Sequence, residues 1–182
     1  MKGVLWLVRH AETTAQSGIA VGSSDPPLSP RGIAESNALA RRLAARPLSR
    51  VISSDSRRAM QTASAIARVH GLAVESCPGL RELDFGDWEG RTLADLWPED
   101  PAAAAAWEAD IRDTPVTFGE TLADLERRVD EFWAGFQNQI VSGEVAIVAH
   151  RGSLSVLISI VSGDPLAEVL MRPFPMGTAI GI

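Results

Sequence analysis

Short apolar segments alternate with amphipathic helical patterns along most of this chain, and that alternation strongly restricts its fold. Four segments have the length and composition of buried strands: Val4–Val8, Arg50–Ile52, Leu72–Glu75 and Val145–Ala149. Strands that alternate with helices favour a mainly parallel sheet covered by helices on both faces. The sequence therefore predicts an α/β protein, a three-layer α/β/α sandwich with a mostly parallel central sheet.

The helical patterns lie between these strands and have recognisable ends. Apolar residues recur at helical spacing in stretches that predict helices near 30–43, 59–70, 122–140 and 153–161. Ile33 belongs to the first apolar stripe, and Gly71 is a typical C-terminal stop for the second helix. Thr121 precedes the third helix as its N-cap, and Asp124, three residues later, stands where a capping box has its second member. The C-terminal sequence "MGTAIGI" predicts a closing strand.

The chain has 182 residues, 46% of them hydrophobic, which suits one globular domain with a sizeable core. Because no linker or repeat divides it, we expect residues 1–182 to form a single domain. The stretch "PEDPAAAAAWEADIRDTP" differs in composition from the rest of the chain, since prolines flank a run of alanines that favours a short helix. We interpret residues of about 84–118 as an inserted, lid-like segment, and a plain surface helix fits the same pattern.

The composition argues against several classes of function. The net charge of −6 provides no general basic surface for nucleic acid or an anionic membrane. No apolar run reaches the length of a membrane span, and the N-terminal run is too short for a secretory signal, so we expect a cytoplasmic protein. The single cysteine, Cys77, permits no intrachain disulfide and speaks against a structural zinc site. We expect neither a metal nor a cofactor.

Three of the predicted strands lead into arginine or histidine where they end. The residues that follow them are Arg9-His10, Arg57-Arg58 and His150-Arg151. Ligands of open α/β sheets bind outside the carboxyl ends of the strands. If these strands are parallel neighbours, two histidines and several arginines meet in one pocket.

Histidine and arginine together suit the transfer of a phosphoryl group. Arginine presents a planar fork of N–H donors that matches phosphate, and a neutral imidazole can accept a phosphoryl group covalently. A second histidine can donate to the phosphate oxygens, and a nearby carboxylic acid can protonate the leaving alkoxide. Composition alone does not separate the candidate acids Glu82, Asp84, Asp87 and Glu89. A metal-binding histidine pair lacks a supporting spacing such as H-x-x-x-H.

Six motifs, in order along the chain, resemble those of the histidine phosphatase superfamily, also called phosphoglycerate mutase-like. They are "VRHAET", "GSSDPPLSPRG", "SSDSRRAMQTA", "LRELDFGDWEG", "FGETLADLERRV" and "IVAHRG". Together they extend from Val4 to about Leu157, which is most of the chain. The resemblance implies a phosphoglycerate mutase-like fold and a metal-independent phosphoryl-transfer activity.

The resemblance also implies roles for individual residues. His10 is the implied nucleophile, Glu82 the implied general acid, and His150 a further catalytic residue. The implied phosphate-binding residues are Arg9, Arg58, His150 and Gln16, the last standing where the family often has an asparagine. Ala11 replaces the glycine that usually follows the nucleophile, and activity should survive that methyl group. Arg151 departs from the family's small residue and is interpreted as a surface residue rather than an added substrate contact.

The leading prediction is a phosphomonoester hydrolase that acts through a phosphohistidine on His10. The length of the chain and its acid-bearing loop resemble those of the alpha-ribazole phosphatase branch and its broad-specificity relatives. The resemblance therefore implies alpha-ribazole 5'-phosphate or another small phosphorylated metabolite as the substrate. The alternatives are phosphoglycerate mutase-type transfer, a phosphohistidine protein phosphatase and, in another class, an inactive phosphate-binding regulatory module. We expect a monomer or a homodimer with no nucleic-acid or membrane partner.

The remaining charged residues are interpreted as solvated. The pairs Arg41-Arg42 and Arg127-Arg128 fall on polar faces of predicted helices. Asp84, Asp87 and Glu89 are assigned to loop solvation. Trp88 is left open between packing and a wall of the site.

Overall fold

The computed structural model describes residues 4–140 and 143–182. Its strands are β1 (Val4–Arg9), β2 (Leu48–Ser53), β3 (Val74–Ser76), β4 (Glu144–Ala149) and β5 (Ala179–Gly181). They form one sheet in the order β3-β2-β4-β1-β5. The first four strands run parallel, and β5 pairs antiparallel with β1. The predicted closing strand is thus confirmed.

Helices connect and cover these strands. They are α1 (Pro30–Leu43), α2 (Arg57–His70), α3 (Leu93–Glu99), α4 (Pro101–Ala109), α5 (Leu122–Phe136), α6 (Arg151–Ser162) and α7 (Leu166–Met171). Helices α1 and α2 pack together on one face of the sheet, and α5 and α6 pack together on the other. Within the two described ranges, no helix combines the length and the apolar character that crossing a membrane demands.

Strand β4 explains why the sheet is covered on both faces, because every one of its residues is buried. Alternate side chains belong to different cores: Ile147 packs with residues of α5 and α6, whereas Ala146 and Val148 pack with residues of α1 and α2. A continuous apolar run is what a parallel strand between two helical layers requires. The predicted α/β/α sandwich with a mostly parallel sheet is confirmed.

Several predicted element ends differ from the structure. The helix predicted to reach residue 140 ends at Phe136, because residues Gln137–Gln139 tighten into a 3₁₀ turn. Strand β3 begins at Val74 rather than Leu72, since the N–H of Leu72 still bonds to the carbonyl of Ala67 in the C-terminal turn of α2. The predicted stop at Gly71 is confirmed by its left-handed φ of 66°.

The faces of two helices also test the sequence patterns. Ile33 is 50% exposed and lies outside the core, whereas Ser36 is buried with its hydroxyl donating to the Gly32 carbonyl. The bond from the Ser36 hydroxyl explains how a polar residue can replace an apolar one on the buried face of α1.

The predicted capping box of α5 is confirmed, because Thr121 Oγ1 accepts from the Asp124 N–H at 3.0 Å.

The prediction that Arg128 is solvated is wrong. Its side chain is 16% exposed, whereas that of its neighbour Arg127 is 63% exposed. Arg128 lies on the side of α5 that packs against the 3₁₀ turn Pro78–Leu80, and its guanidinium bonds to main-chain carbonyls there. Adjacent positions on a helix face different directions, so a double-arginine motif does not place both side chains alike.

Residues 84–118 form a small packed unit. They contain a 3₁₀ turn, Gly86–Trp88, followed by α3 and α4. Trp88, Leu96 and Val116 are buried in a cluster separate from the two sheet cores, with Trp107 packed against them. The rings of Trp88 and Trp107 meet edge to face, with centroids 5.3 Å apart. That this unit acts as a lid stays a prediction.

Candidate active site

Strand pairing brings the two predicted catalytic histidines together. β1 and β4 are adjacent and parallel, with Arg9 opposite Ala149, so His10 and His150 follow the ends of neighbouring strands. The N–H of His10 donates to the Ala149 carbonyl at 3.0 Å, and the two imidazole ring centroids lie 5.2 Å apart. The predicted meeting of the two histidines at the carboxyl edge of the sheet is confirmed.

His10 has the tautomer that a nucleophile needs. Its Nδ1 lies 2.8 Å from the Ala11 carbonyl oxygen, which can only accept, so Nδ1 carries the proton and Nε2 keeps its lone pair. Burial lowers the pKa of His10 to about 3, and the nearby charges of Arg58 and Arg9 act in the same direction. The imidazole is therefore neutral near pH 7.

The chain after His10 is held by Thr62 of α2. The N–H of Ala11 donates to Thr62 Oγ1 at 3.1 Å, and that hydroxyl donates to the Arg58 carbonyl. The Ala11 methyl group, which replaces the usual glycine hydrogen, is fully buried without displacing this bond. Thr62 belongs to the motif "SSDSRRAMQTA", but its contact with the first motif was not predicted.

His150 is fully buried between two polar partners. Arg58 Nε donates to His150 Nδ1 at 3.2 Å, so His150 Nε2 carries the proton and donates to Ser54 Oγ at 2.9 Å. Ser54 in turn donates to Ser56 Oγ. Burial lowers the pKa of His150 well below its ordinary value, and the neighbouring Arg58 adds to that shift. The second imidazole is therefore neutral as well.

Arg58 ties His150 to a loop on the other side of the site. Its side chain is fully buried and donates to the carbonyls of Ser24 at 2.7 Å, Gly22 at 2.9 Å and Val21 at 3.3 Å. Burial lowers its pKa, while the carboxylates led by Glu82 oppose that shift. The structure thus places Arg58 behind His150; a direct phosphate contact by this residue stays a prediction.

Arg9 is available for an anion. Its Nη1 donates to the Phe174 carbonyl at 2.7 Å, but its buried Nε has no hydrogen-bond partner among the described residues. Burial lowers its pKa, and the charge of Glu82 partly compensates. Arg9 lines the cavity over His10, and a guanidinium at such a cavity is well suited to phosphate.

Glu82 lies beside the first turn of α6. Its Oε2 accepts from the Gly152 N–H at 3.1 Å, and its Oε1 accepts from the Leu83 N–H at 3.0 Å. The carboxylate lines the same cavity as His10. Of the four candidate acids, Glu82 is the one that this cavity contacts, which favours it for the acid role.

The assignment of Glu89 to loop solvation is wrong. Its carboxylate accepts from the N–H groups of Gly22, Ser23, Ser24 and Phe85 and from the Ser24 hydroxyl. Glu89 therefore organises the loop whose carbonyls hold Arg58. Asp84 also has a structural role, since its side chain accepts from the Gly86 N–H, while Asp87 is exposed as expected.

A cavity of about 750 Å³ opens over His10. Arg9, His10 and Glu82 belong to its polar lining, and Trp88 and Trp107 form part of an apolar wall, so Trp88 both packs and lines the site. Gln16 is exposed on the lining of this cavity. Its contact with phosphate stays a prediction.

Arg151 lies at the surface of the protein and next to the cavity. It is exposed, as expected, and it also lines the cavity. Its Nη2 donates to the Leu170 carbonyl at 2.8 Å, which anchors the side chain. A role toward substrate stays a prediction.

Comparison with known proteins identifies the family of the chain. A family model described as the histidine phosphatase superfamily (branch 1) matches residues 5–179, so the chain belongs to the histidine phosphatase superfamily. The adenosylcobalamin/alpha-ribazole phosphatase of Salmonella typhimurium is 36% identical over 166 residues, which cover 91% of this chain and 82% of that protein. The predicted enzyme class, a phosphatase, is confirmed.

Two further relatives widen the comparison. The crystal structure of the alpha-ribazole phosphatase from Shigella flexneri has a TM-score of 0.90 and 33% identity, covering 98% of this chain and 89% of that one. A Yersinia pestis protein named "Probable phosphoglycerate mutase GpmB" is 31% identical over 162 residues, which cover 88% of this chain and 75% of that protein. The fold and the family are therefore shared across nearly the whole length.

Proposed function

We propose that the protein hydrolyses phosphomonoesters through a phosphohistidine on His10. The observation that carries this proposal is the neutral His10 imidazole, whose Nδ1–H is tied to the Ala11 carbonyl and whose Nε2 is free to attack. In the first step, Nε2 forms a bond to phosphorus while the ester P–O bond breaks. The proton of the Glu82 carboxyl group passes to the departing oxygen.

The second step restores the enzyme. The Glu82 carboxylate accepts a proton from water, whose oxygen forms the new bond to phosphorus. The N–P bond breaks, its electron pair returns to His10 Nε2, and inorganic phosphate leaves. Glu82 is then protonated for the next cycle, so protons and charges balance over the two steps.

The surrounding cations support the charge of the transferring group. Arg9 lines the cavity with its guanidinium group, and Arg58 adds its positive charge next to His150, to which it donates. We propose that neither step needs a metal ion. Among the described residues, no group of three or more His, Cys, Asp and Glu side chains is placed to hold one. Fixed guanidinium donors such as those of Arg9 and Arg58 stabilise charge that develops in a transition state.

We propose alpha-ribazole 5'-phosphate, or another small phosphorylated metabolite, as the substrate. The 36% identity to a protein named for alpha-ribazole phosphate hydrolysis supports this choice. The wall formed by Trp88 and Trp107 suits an alcohol portion with an aromatic or apolar surface. Glu82 supports an ester substrate, because a poor alkoxide leaving group needs a proton.

Mutase-type transfer is the second candidate, favoured by the likeness to the Yersinia pestis protein named as a phosphoglycerate mutase. The two functions differ in the fate of the phosphoryl group. A hydrolase releases inorganic phosphate to water, whereas a mutase returns the group to a second hydroxyl of the substrate. Product analysis on 3-phosphoglycerate therefore separates them.

The test is phosphate release in the presence of EDTA from a panel of an aryl phosphate, 3-phosphoglycerate, alpha-ribazole 5'-phosphate and a phosphohistidine peptide. We expect turnover by the wild type and by His70→Ala, and none by His10→Ala. His70 is a matched control because it ends α2 and does not line the cavity. Equal turnover by His10→Ala would remove the nucleophile role, and inhibition by EDTA would overturn the metal-independent step.

A further inference from the structure

Arg128 makes an unusual set of contacts with the loop that carries Glu82. Its Nη1 donates to the carbonyls of Gly79 at 3.0 Å and Arg81 at 2.6 Å, and its Nη2 donates to the carbonyl of Glu82 at 2.8 Å. A single guanidinium thus binds three main-chain oxygens within four consecutive residues. The last of these three residues, Glu82, is the proposed acid.

A carboxylate fixes the guanidinium in turn. Glu120 accepts from Arg128 through both oxygens, Oε1 from Nε at 3.0 Å and Oε2 from Nη2 at 2.9 Å. Glu120 also binds the far end of the loop, because its Oε2 accepts from the Asp84 N–H at 3.2 Å and its own N–H donates to the Asp84 carbonyl at 2.9 Å. Arg128 and Glu120 therefore clamp the main chain on both sides of Glu82.

This stretch has little regular structure of its own. Residues 81–85 belong to neither helix nor strand, so no ladder of backbone hydrogen bonds aligns them. The Glu82 carboxylate accepts from the N–H groups of Gly152 and Leu83, while its main-chain carbonyl accepts from Arg128. The side chain and the main chain of Glu82 are thus anchored separately.

We infer that Arg128, held by Glu120, is a positioning residue for the acid–base group Glu82. It acts through the main chain and does not line the cavity that His10 and Glu82 share. The inference rests on the proposed function, in which Glu82 donates its proton to the leaving oxygen. A misplacement of about 1 Å in a catalytic group can cost on the order of 100-fold in rate.

Arginine is suited to this task in a way that lysine is not. The guanidinium directs five N–H donors in a fixed plane, and the five acceptor contacts of Arg128 use Nε, Nη1 and Nη2 together. An ammonium group has three donors on one atom and cannot span acceptors on both sides of the loop. We therefore expect Arg128→Lys to restore little of what Arg128→Gln loses.

A leaving-group comparison distinguishes positioning of the acid from general damage to the fold. The nitrophenolate of p-nitrophenyl phosphate leaves without a proton, whereas the alkoxide of an alkyl phosphate needs one. The quantity to measure is kcat/KM, since it reports the first phosphoryl transfer and excludes hydrolysis of the phosphohistidine. We expect Arg128→Gln to lose about 10- to 100-fold on the alkyl phosphate and less than about threefold on p-nitrophenyl phosphate.

Two comparison variants complete the experiment. Arg127→Gln is the matched control, because the ion pairs of the adjacent arginine with Asp124 and Glu131 are exposed, and it should match the wild type on both substrates. Glu82→Gln is the reference and should show the same leaving-group selectivity as Arg128→Gln. If Arg128→Gln does not fold, as judged by circular dichroism, Glu120→Gln tests the same clamp with less perturbation.

The outcomes distinguish a failure of the positioning role of Arg128 from a failure of the proposed acid role of Glu82. An equal loss on both substrates, or no loss, in the clamp variants alongside a selective loss in Glu82→Gln would overturn the positioning role alone. An unselective Glu82→Gln would overturn the acid role in the proposed function, and the positioning role with it. A selective loss in both, with Arg127→Gln unchanged, is the result that we expect.

Discussion

The N–H of Gly152 donates to Glu82 Oε2 at 3.1 Å, and this close contact leaves no space for a side chain at position 152. A Cβ atom there would lie 2.3 Å from Glu82 Oε1 and 3.2 Å from Leu125 Cδ2. His150 is the N-cap residue of the same helix, α6. The turn from β4 into α6 therefore fixes the buried imidazole and the cavity carboxylate together.

Gly152→Ala should displace the Glu82 carboxylate and lower activity. Because the methyl group and Oε1 cannot both keep their positions, we expect a fall of about 10- to 100-fold in kcat/KM on an alkyl phosphate. Steady-state kinetics on that substrate measure the effect. Binding of inorganic phosphate as a product inhibitor should change much less, since Arg9 is not displaced.

Gly135→Ala is the matched control for this substitution. Gly135 lies within α5, and an added Cβ would meet nothing within 4 Å. Alanine is favoured over glycine inside a helix by roughly 0.5–1 kcal/mol, so this variant should be fully active and slightly more stable. Full activity of Gly152→Ala would contradict the importance of the Glu82 position.

Phe118 is a site where the chain stores strain. Its φ is 59°, in the left-handed region, and its side chain is 89% exposed, so it gains little from burial. It stands inside a turn that the Gly119 N–H closes on the Val116 carbonyl at 2.8 Å. Left-handed backbone costs an ordinary residue about 1 kcal/mol or more, and asparagine tolerates it better.

We therefore expect Phe118→Asn to raise the free energy of unfolding by about 0.5–1 kcal/mol. Urea unfolding followed by circular dichroism measures this difference. Phe118→Ala is the control, because alanine keeps the Cβ atom that opposes the left-handed conformation and should bring no comparable gain. A loss of stability in Phe118→Asn would mean that the exposed ring makes a contribution that its burial does not indicate.

Local sequence patterns predicted the elements and the residues at strand ends. His10 and His150 could be predicted because each directly follows a buried strand, and parallel pairing of β1 and β4 places such positions side by side. Ile33 shows the limit of this approach. Its spacing fits an apolar stripe, but the chemistry that admits Ser36 to the buried face depends on a hydroxyl bond that periodicity does not contain.

The contacts that organise the site could not be predicted from local patterns. Glu89 binds Gly22 across 67 positions, and Arg128 binds the Glu82 carbonyl across 46. Nothing near either residue distinguishes it from a solvated charge, because the acceptors and donors are main-chain groups that every residue carries. Only their presence within the resembling motifs "LRELDFGDWEG" and "FGETLADLERRV" offered a signal.

The buried histidines should make stability depend on pH. In the unfolded chain a histidine takes up a proton near its ordinary pKa of about 6.5, whereas burial lowers the folded pKa of His10 to about 3 and that of His150 well below its ordinary value. Between these limits the unfolded state binds more protons than the folded state. Stability is therefore fully present above about pH 6.5 and falls as the pH is lowered.

We expect the free energy of unfolding to fall by about 1.4 kcal/mol per pH unit for each buried histidine between about pH 6.5 and pH 5. Urea titrations at several pH values in this window measure the slope. His150→Asn should roughly halve it, whereas His70→Asn leaves both buried imidazoles in place and should keep it. A slope of the opposite sign would contradict neutral burial of the pair.

Trp107 should influence which substrates bind. It lies in α4, contacts Trp88 edge to face and belongs to the apolar part of the cavity lining. We expect this side chain to contact the alcohol portion of the substrate and not its phosphate. Trp97, in the neighbouring α3, is 38% exposed and does not line the cavity.

Trp107→Ala should therefore raise KM about fivefold for phosphate esters of large aromatic alcohols, since loss of an aromatic contact costs on the order of 1 kcal/mol. Small esters such as glycerol phosphate do not reach this wall and should keep their KM. Trp97→Ala removes the same side chain from the same segment without touching the cavity, so it should match the wild type on both. Equal effects of the two substitutions would show that residues 84–118 affect activity through their folding alone, and the lid-like role predicted for them would be lost.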